Sequence, residues 1–160
     1  MLPEEATKLI GQAGEARIFE VEKGAIRRFA DAVDDQNPLY WDEEYAGNSR
    51  HGAIIAPPGF FGWPTKWERG ATFVVAFGET DDLGPALAKA GYTRLLDGGM
   101  EYEFFRPVQD GDTLVVSSMI KDITERVTQT GKMAFVITET TYTNQNDDLV
   151  ARARATMINL

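Results

Sequence analysis

Cysteine is absent from this sequence, and histidine occurs once, at position 51. With no thiol there is no disulfide framework, thiolate nucleophile or zinc–thiolate site, and a single histidine leaves zinc catalysis without a ligand set. A cysteine-free chain also suits a reducing compartment. No apolar run approaches the ~20 residues that a membrane-spanning helix needs. The opening Met1-Leu2-Pro3-Glu4-Glu5 lacks the basic and apolar stretches of a signal peptide, so a cytoplasmic location is expected. Walker and dinucleotide glycine motifs are missing too, and no cofactor or metal is expected. Positive charge is scarce: 16 Lys and Arg stand against 25 Asp and Glu, a formal net charge of −9. That balance opposes nucleic acid and anionic membrane surfaces as partners.

What is present is the composition of a globular protein, with 43% hydrophobic and 26% charged residues in 160. No repeat, low-complexity tract or linker divides it, so residues 1–160 are expected to form one domain. Residues 16–22 predict a short strand. Ile26, Phe29, Ala30 and Val33 recur at helical spacing and predict an amphipathic helix over 23–33. It should stop near Asp34, because Asn37 precedes Pro38 and is pushed towards extended backbone. Asp42 is placed to cap a second short helix, with Glu43 and Glu44 in its positive first turn. After Pro57 and Pro58 a mostly apolar stretch holds Phe60, Phe61, Trp63 and Trp67 and reads as a buried helix. Residues 83–90 predict another short helix.

The last third is rich in Val, Ile, Thr, Phe and Tyr over 100–108, 112–124, 132–144 and 149–159. Between these runs lie Gln109-Asp110-Gly111, Thr130-Gly131 and Asn144-Gln145-Asn146-Asp147, which is turn chemistry. Four long strands joined by tight turns make an antiparallel meander. The apolar helix from Pro58 is the candidate cover for one face.

The segment Asp35-Gln36-Asn37-Pro38-Leu39-Tyr40-Trp41-Asp42, with Ala46 beyond it, resembles the signature of MaoC-like (R)-specific enoyl-thioester hydratases. That pattern runs Gly-Asp-x-Asn-Pro-x-His, then Asp two residues on and Ala four further. Asp35, Asn37, Pro38, Asp42 and Ala46 match; Asp34 replaces the glycine and Tyr40 the histidine. Ile55-Ala56-Pro57-Pro58 resembles the family's entry into its central helix. Phe105-Arg106-Pro107-Val108 with Gly111-Asp112 resembles its Arg-Pro-Val-x-x-Gly-Asp strand and turn, and Leu149 to Thr156 its closing strand. The resemblance implies an α+β hotdog fold, an antiparallel sheet of five or more strands wrapped around a central helix. The chain is most similar to the N-terminal dehydratase-type half, which also occurs as a free subunit.

Hydration of a trans-2-enoyl thioester needs a base for water, an acid for the α-carbon and a donor for the enolate oxygen. In catalytic members of the family an Asp and a His hold the water between them. The resemblance carries the Asp role to Asp35; its other reading is a loop carboxylate bonding the Asn-Pro turn. Tyr40 falls on the histidine position. A phenol of pKa ~10 donates a hydrogen bond at neutral pH but is a poor base, and its alternative role is an aromatic anchor for the short helix. His51 is read as a solvated loop residue or as a neighbour of the pantetheine or phosphate entrance, and less readily as a substitute for the missing base. Gly59 is the candidate oxyanion N–H, because Pro57 and Pro58 have none; alternatively it serves only close helix packing. Phe60 and Trp63 are candidates to line an acyl pocket, or plain core.

These readings imply a subunit of an (R)-specific enoyl-CoA or enoyl-ACP hydratase, or 3-hydroxyacyl-thioester dehydratase, in fatty acid metabolism. It would be the tunnel-shaping half, paired with a histidine-bearing hotdog. The alternatives are a self-sufficient hydratase using Asp35 with Tyr40 or His51, a non-catalytic acyl-thioester binding protein, and a hotdog thioesterase. The expected partners are an acyl- or enoyl-CoA or acyl-carrier thioester and a second hotdog subunit, catalytic or a second copy. A half-barrel sheet leaves an edge and an apolar face that need covering, so a dimer is expected.

Overall fold

The computed structural model describes residues 2–60, 82–129 and 131–160. Helix α1 spans Glu4–Thr7, strand β1 Arg17–Glu20 and helix α2 Lys23–Ala32. A 3₁₀ turn follows at Pro38–Tyr40, then α3 (Glu43–Gly47) and α4 (Leu83–Lys89). Strands β2 (Leu95–Phe104), β3 (Thr113–Thr128), β4 (Gly131–Thr143) and β5 (Leu149–Asn159) complete the order. All pairings are antiparallel in one five-stranded sheet of order β1-β3-β4-β5-β2. The expected helix after Pro58, with Phe61, Trp63 and Trp67, lies outside the described residues.

The sheet carries the period-2 burial of a one-sided layer. Along β4, Ala134, Val136, Thr138, Thr140 and Tyr142 are buried while the residues between them are not. Two apolar clusters cover that inner face. In one, Ile26, Ala30, Tyr40, Ile54, Ile55 and Phe60 pack on Leu114, Val116, Tyr142, Val150 and Ala153. In the other, Ala6 and Leu9 meet Leu83, Leu87 and Tyr92 over Ile120, Ile123, Val136 and Met157. Burying each large aliphatic or aromatic side chain contributes roughly 1.5–3 kcal/mol. Helix α1, which carries Ala6 into this second cluster, has too few residues for a visible periodicity.

One strand differs from its expected limits. β2 begins at Leu95 and ends at Phe104, whereas the sequence predicts 100–108. The Gly98-Gly99 pair forms a β-bulge between Asp97 and Met100. Gly99 takes φ 111°, and a Cβ on Gly98 would meet the Thr156 carbonyl oxygen at 2.8 Å. At the far end Phe105 and Arg106 N–H still donate to the Val150 carbonyl (2.9 and 3.2 Å), and the bonding to β5 stops at Pro107, which has no N–H to give.

Helix α2 runs as its apolar spacing predicts, and its end sets up the site. Asp34 N–H donates to the Asp31 carbonyl (3.1 Å) and Asp35 N–H to the Ala30 carbonyl (2.9 Å), the paired bonds of a Schellman cap. Asp34 occupies the left-handed position with φ 54°. The family signature puts glycine there, and an L-residue pays roughly 1–2 kcal/mol for that backbone, less for Asp and Asn. Its carboxylate also sits at the negative end of the helix. Asp34→Gly is therefore expected to stabilise the chain by about 1 kcal/mol. A higher urea midpoint with an unchanged slope would show it; a lower midpoint would mean that the weak Gln36 contact at 3.4 Å matters more than backbone strain.

Candidate functional site

The segment after the cap is a chain of local hydrogen bonds that its residue types dictate. Asn37 N–H donates to the Asp35 carboxylate (3.1 Å), an Asx turn. The Asn37 side-chain oxygen then accepts from Leu39 N–H (3.1 Å) and caps the 3₁₀ turn, with Pro38 preset for its first position. Asp42 repeats the device, accepting from Tyr45 N–H (3.0 Å) to start α3 as expected.

Two side chains unremarked as site elements in the sequence lock this segment to α2. Trp41 Nε1–H donates to the Asp35 carbonyl (2.9 Å), and Arg27 donates to the Trp41 carbonyl (2.7 Å) and to Glu43 (3.2 Å). Lys23 reaches the same Glu43 carboxylate (3.0 Å). The pairs lie 14 and 16 residues apart, so no helical spacing announces them.

Asp35, Asn37 and Tyr40 come together. Tyr40 is buried in the first cluster. Burial, chiefly, and then the nearby Asp35 carboxylate push its phenol above the usual tyrosine value, while the Asn37 side chain offsets part of the rise. The phenol is thus held neutral beside a carboxylate. Such a group donates a hydrogen bond to an oxygen at neutral pH and takes no proton from water.

His51 is tied elsewhere. Arg50 Nε–H donates to its Nε2 (3.2 Å), its N–H donates to Ser49 Oγ (3.1 Å), and Gln109 donates to its carbonyl (2.8 Å). Among the described residues no hydrogen bond joins it to Asp35 or Tyr40. The Gln109 bond instead fastens its loop to the turn after Val108, where Ala56 N–H also donates to the Val108 carbonyl (2.8 Å).

Gly59 follows on that docked segment with φ 89°. Among the described residues the nearest atom to a Cβ there is Phe29 Cζ at 3.9 Å, ordinary contact. Backbone conformation therefore requires the glycine, not lack of room. Phe60 is buried and meets Phe29 edge to face, with centroids 5.9 Å apart. Trp63 lies outside the described residues. Among the described residues no cluster of three or more His, Asp or Glu is placed to hold a metal ion, and no helix is long and apolar enough to cross a membrane.

Residues 8–153 match the family described as FAS1-like, dehydratase domain region. The chain is 32% identical over 135 residues to the probable enoyl-CoA hydratase alpha subunit of Thermomonospora curvata, covering 81% of this chain and 41% of that one. It therefore spans less than half the length of that relative. Among solved structures it resembles the ChsH1-ChsH2 complex from Mycobacterium tuberculosis, with a TM-score of 0.83 at 20% identity, covering 98% of this chain and 94% of that one. It also resembles the HadBC (3R-hydroxyacyl-ACP dehydratase) complex of the same organism, with a TM-score of 0.67 at 23% identity over 96% and 98% of the two chains. At these identities the structural likeness speaks for the fold.

Proposed function

This chain belongs to the FAS1-like dehydratase-region family of MaoC-like hotdog proteins, and on that premise we propose that it is the tunnel-shaping subunit of an (R)-specific enoyl-thioester hydratase or 3-hydroxyacyl-thioester dehydratase. Its working partner is a histidine-bearing hotdog chain, and the substrate is an enoyl-CoA or enoyl-carrier thioester. One observation carries the reading: the histidine position holds Tyr40, buried in the core with its phenol pushed above its usual value. A neutral phenol cannot take the proton of the attacking water, so the general base comes from outside this chain.

The residues present have coherent roles in such a subunit. Asp35 closes the Asn-Pro turn through Asn37 N–H, and Tyr40 anchors that turn in the core. Phe60 borders the acyl chain, Gly59 borders the thioester carbonyl, and His51 stands near the pantetheine entrance. The relative from Thermomonospora curvata, called an alpha subunit, supports a multi-chain enzyme. So does the solved HadBC dehydratase complex, as an example of the fold working in pairs. The chain acts as one hotdog unit in the cytoplasm.

A self-contained hydratase is the second reading, favoured by the closeness of the Asp35 carboxylate to the Tyr40 phenol. The test is loss of enoyl absorbance on adding crotonyl-CoA to the chain alone and to the chain produced together with a histidine-bearing partner. Slow turnover alone and fast turnover together support the two-chain enzyme. Equal turnover in both supports the second reading. Tight acyl-CoA binding with no turnover in either would leave a binding protein.

A further inference from the structure

Helix α2 and the turn after it are joined by a closed ring of hydrogen bonds, and one side chain completes it. Asp35 N–H donates to the Ala30 carbonyl (2.9 Å), and the Asp35 carbonyl accepts from Trp41 Nε1–H (2.9 Å). The Trp41 carbonyl in turn accepts from Arg27 (2.7 Å). Arg27 and Ala30 lie one helical turn apart on α2, so the ring returns to the face it left. Trp41 also ends the 3₁₀ turn, its own N–H donating to the Pro38 carbonyl (3.2 Å).

Stability alone is a poor account of Arg27. Its ion pair is with Glu43, a side chain 61% exposed, and such a surface pair contributes little. Lys23 holds the same carboxylate (3.0 Å) without its help. Among the described residues Arg27 Nε is buried with no hydrogen-bond partner, which disfavours the folded state. The well-made contact is the short bond to the Trp41 carbonyl.

That bond matters to the site because the next segment hangs from the same turn. Ile55 N–H donates to the Leu39 carbonyl (3.2 Å), inside the 3₁₀ turn. Tyr40 of the turn packs in one cluster with Ile54, Ile55 and Phe60. Gly59 lies on this segment, and Phe60 meets Phe29 of α2 edge to face. A shift of the turn against α2 therefore moves Gly59 and Phe60.

We propose that Arg27 is a positioning residue for thioester binding: by tying Trp41 to α2 it fixes the turn from which the Gly59–Phe60 segment hangs. This rests on the tunnel-shaping role proposed above and names the residue that sets the tunnel's shape. Arg27 acts through Trp41 and touches no reacting atom, so its loss weakens binding rather than the chemical step.

Arg27→Met and Glu43→Gln are compared with wild type in the complex with a histidine-bearing partner. Arg27→Met is expected to raise the KM for crotonyl-CoA and the calorimetric Kd for butyryl-CoA about tenfold, with kcat within about twofold. In the isolated chain the Trp41 indole N–H resonance should move towards that of free indole, while the amide resonances of β4 hold. Glu43→Gln removes the ion pair, keeps the Trp41 bond and should change none of these. If Arg27→Met does not fold, Trp41→Phe opens the ring at its other bond and keeps an aromatic side chain. It is expected to raise KM and Kd in the same direction. An unmoved Kd, or an equal effect of Glu43→Gln, overturns the positioning role. No turnover in any complex, wild type included, with Kd still raised by Arg27→Met, overturns the proposed function alone.

Discussion

The chain by itself is expected to hydrate crotonyl-CoA about 10²–10⁴-fold more slowly than its complex with a histidine-bearing hotdog partner. That range is what one member of a general acid–base pair contributes. The shortfall follows from position 40, where a neutral buried phenol stands in place of an imidazole. An imidazole with an unperturbed pKa of about 6.5 accepts a proton readily at neutral pH; a phenol raised above about 10 is already protonated. Asp35 alone does not replace the pair, since its carboxylate already accepts from Asn37 N–H to close the turn. His51 does not repair the loss, because Arg50 occupies its Nε2 and Gln109 holds its loop against the turn after Val108. Stopped assays following the enoyl absorbance, at matched concentrations of this chain, give the ratio directly.

The second large effect is on stability. Tyr40→Ala is expected to destabilise the chain by about 3–5 kcal/mol, the usual cost of emptying a buried aromatic site. Tyr40 is buried at 6% exposure within the cluster that joins α2, the 54–60 segment and the sheet, and its loss opens a cavity at that junction. Tyr40→Phe keeps the ring and removes only the hydroxyl. A neutral hydrogen bond is worth roughly 0.5–1.5 kcal/mol net, and desolvation of the phenol offsets part of it, so the change should be about 1 kcal/mol or less. Urea unfolding at fixed protein concentration separates the two variants. The same pair separates an anchor from a catalyst. In the complex, Tyr40→Phe should leave turnover within about twofold; a drop of about 10²-fold with stability intact would make Tyr40 the acid of a self-contained site.

Much of this fold was legible because local rules and tertiary structure agree. The spacing of Ile26, Phe29, Ala30 and Val33 predicts α2, and the helix buries Ile26 and Ala30 completely. Asp42 caps α3 as its position suggests. The turn residues after Val108 separate β2 from β3, and those after Thr143 separate β4 from β5. Legibility ends where pairing overrides local chemistry. β2 starts at Leu95, five residues before its expected start, because β5 pairs with it on both sides of the bulge at Gly98-Gly99. β3 likewise runs to Thr128, four residues past its expected end, because β4 pairs with it that far. At the site, the sequence motif brings Asp35, Asn37 and Tyr40 together because they lie on one turn. The brackets around that turn, Trp41 on the Asp35 carbonyl and Arg27 on the Trp41 carbonyl, depend on how two helices meet. No spacing in the chain encodes that meeting.

The central claim is that this subunit does not supply the water-activating dyad, and Asp35→Asn in the assembled enzyme tests it most directly. Asparagine keeps a side-chain oxygen for Asn37 N–H, and the Trp41 bond goes to the backbone, so the turn survives the change. Steady-state hydration of crotonyl-CoA is measured for wild-type and Asp35→Asn complexes of equal assembly. Rates within about twofold are the expected result, and a fall of about 10²-fold or more would place the catalytic carboxylate in this chain.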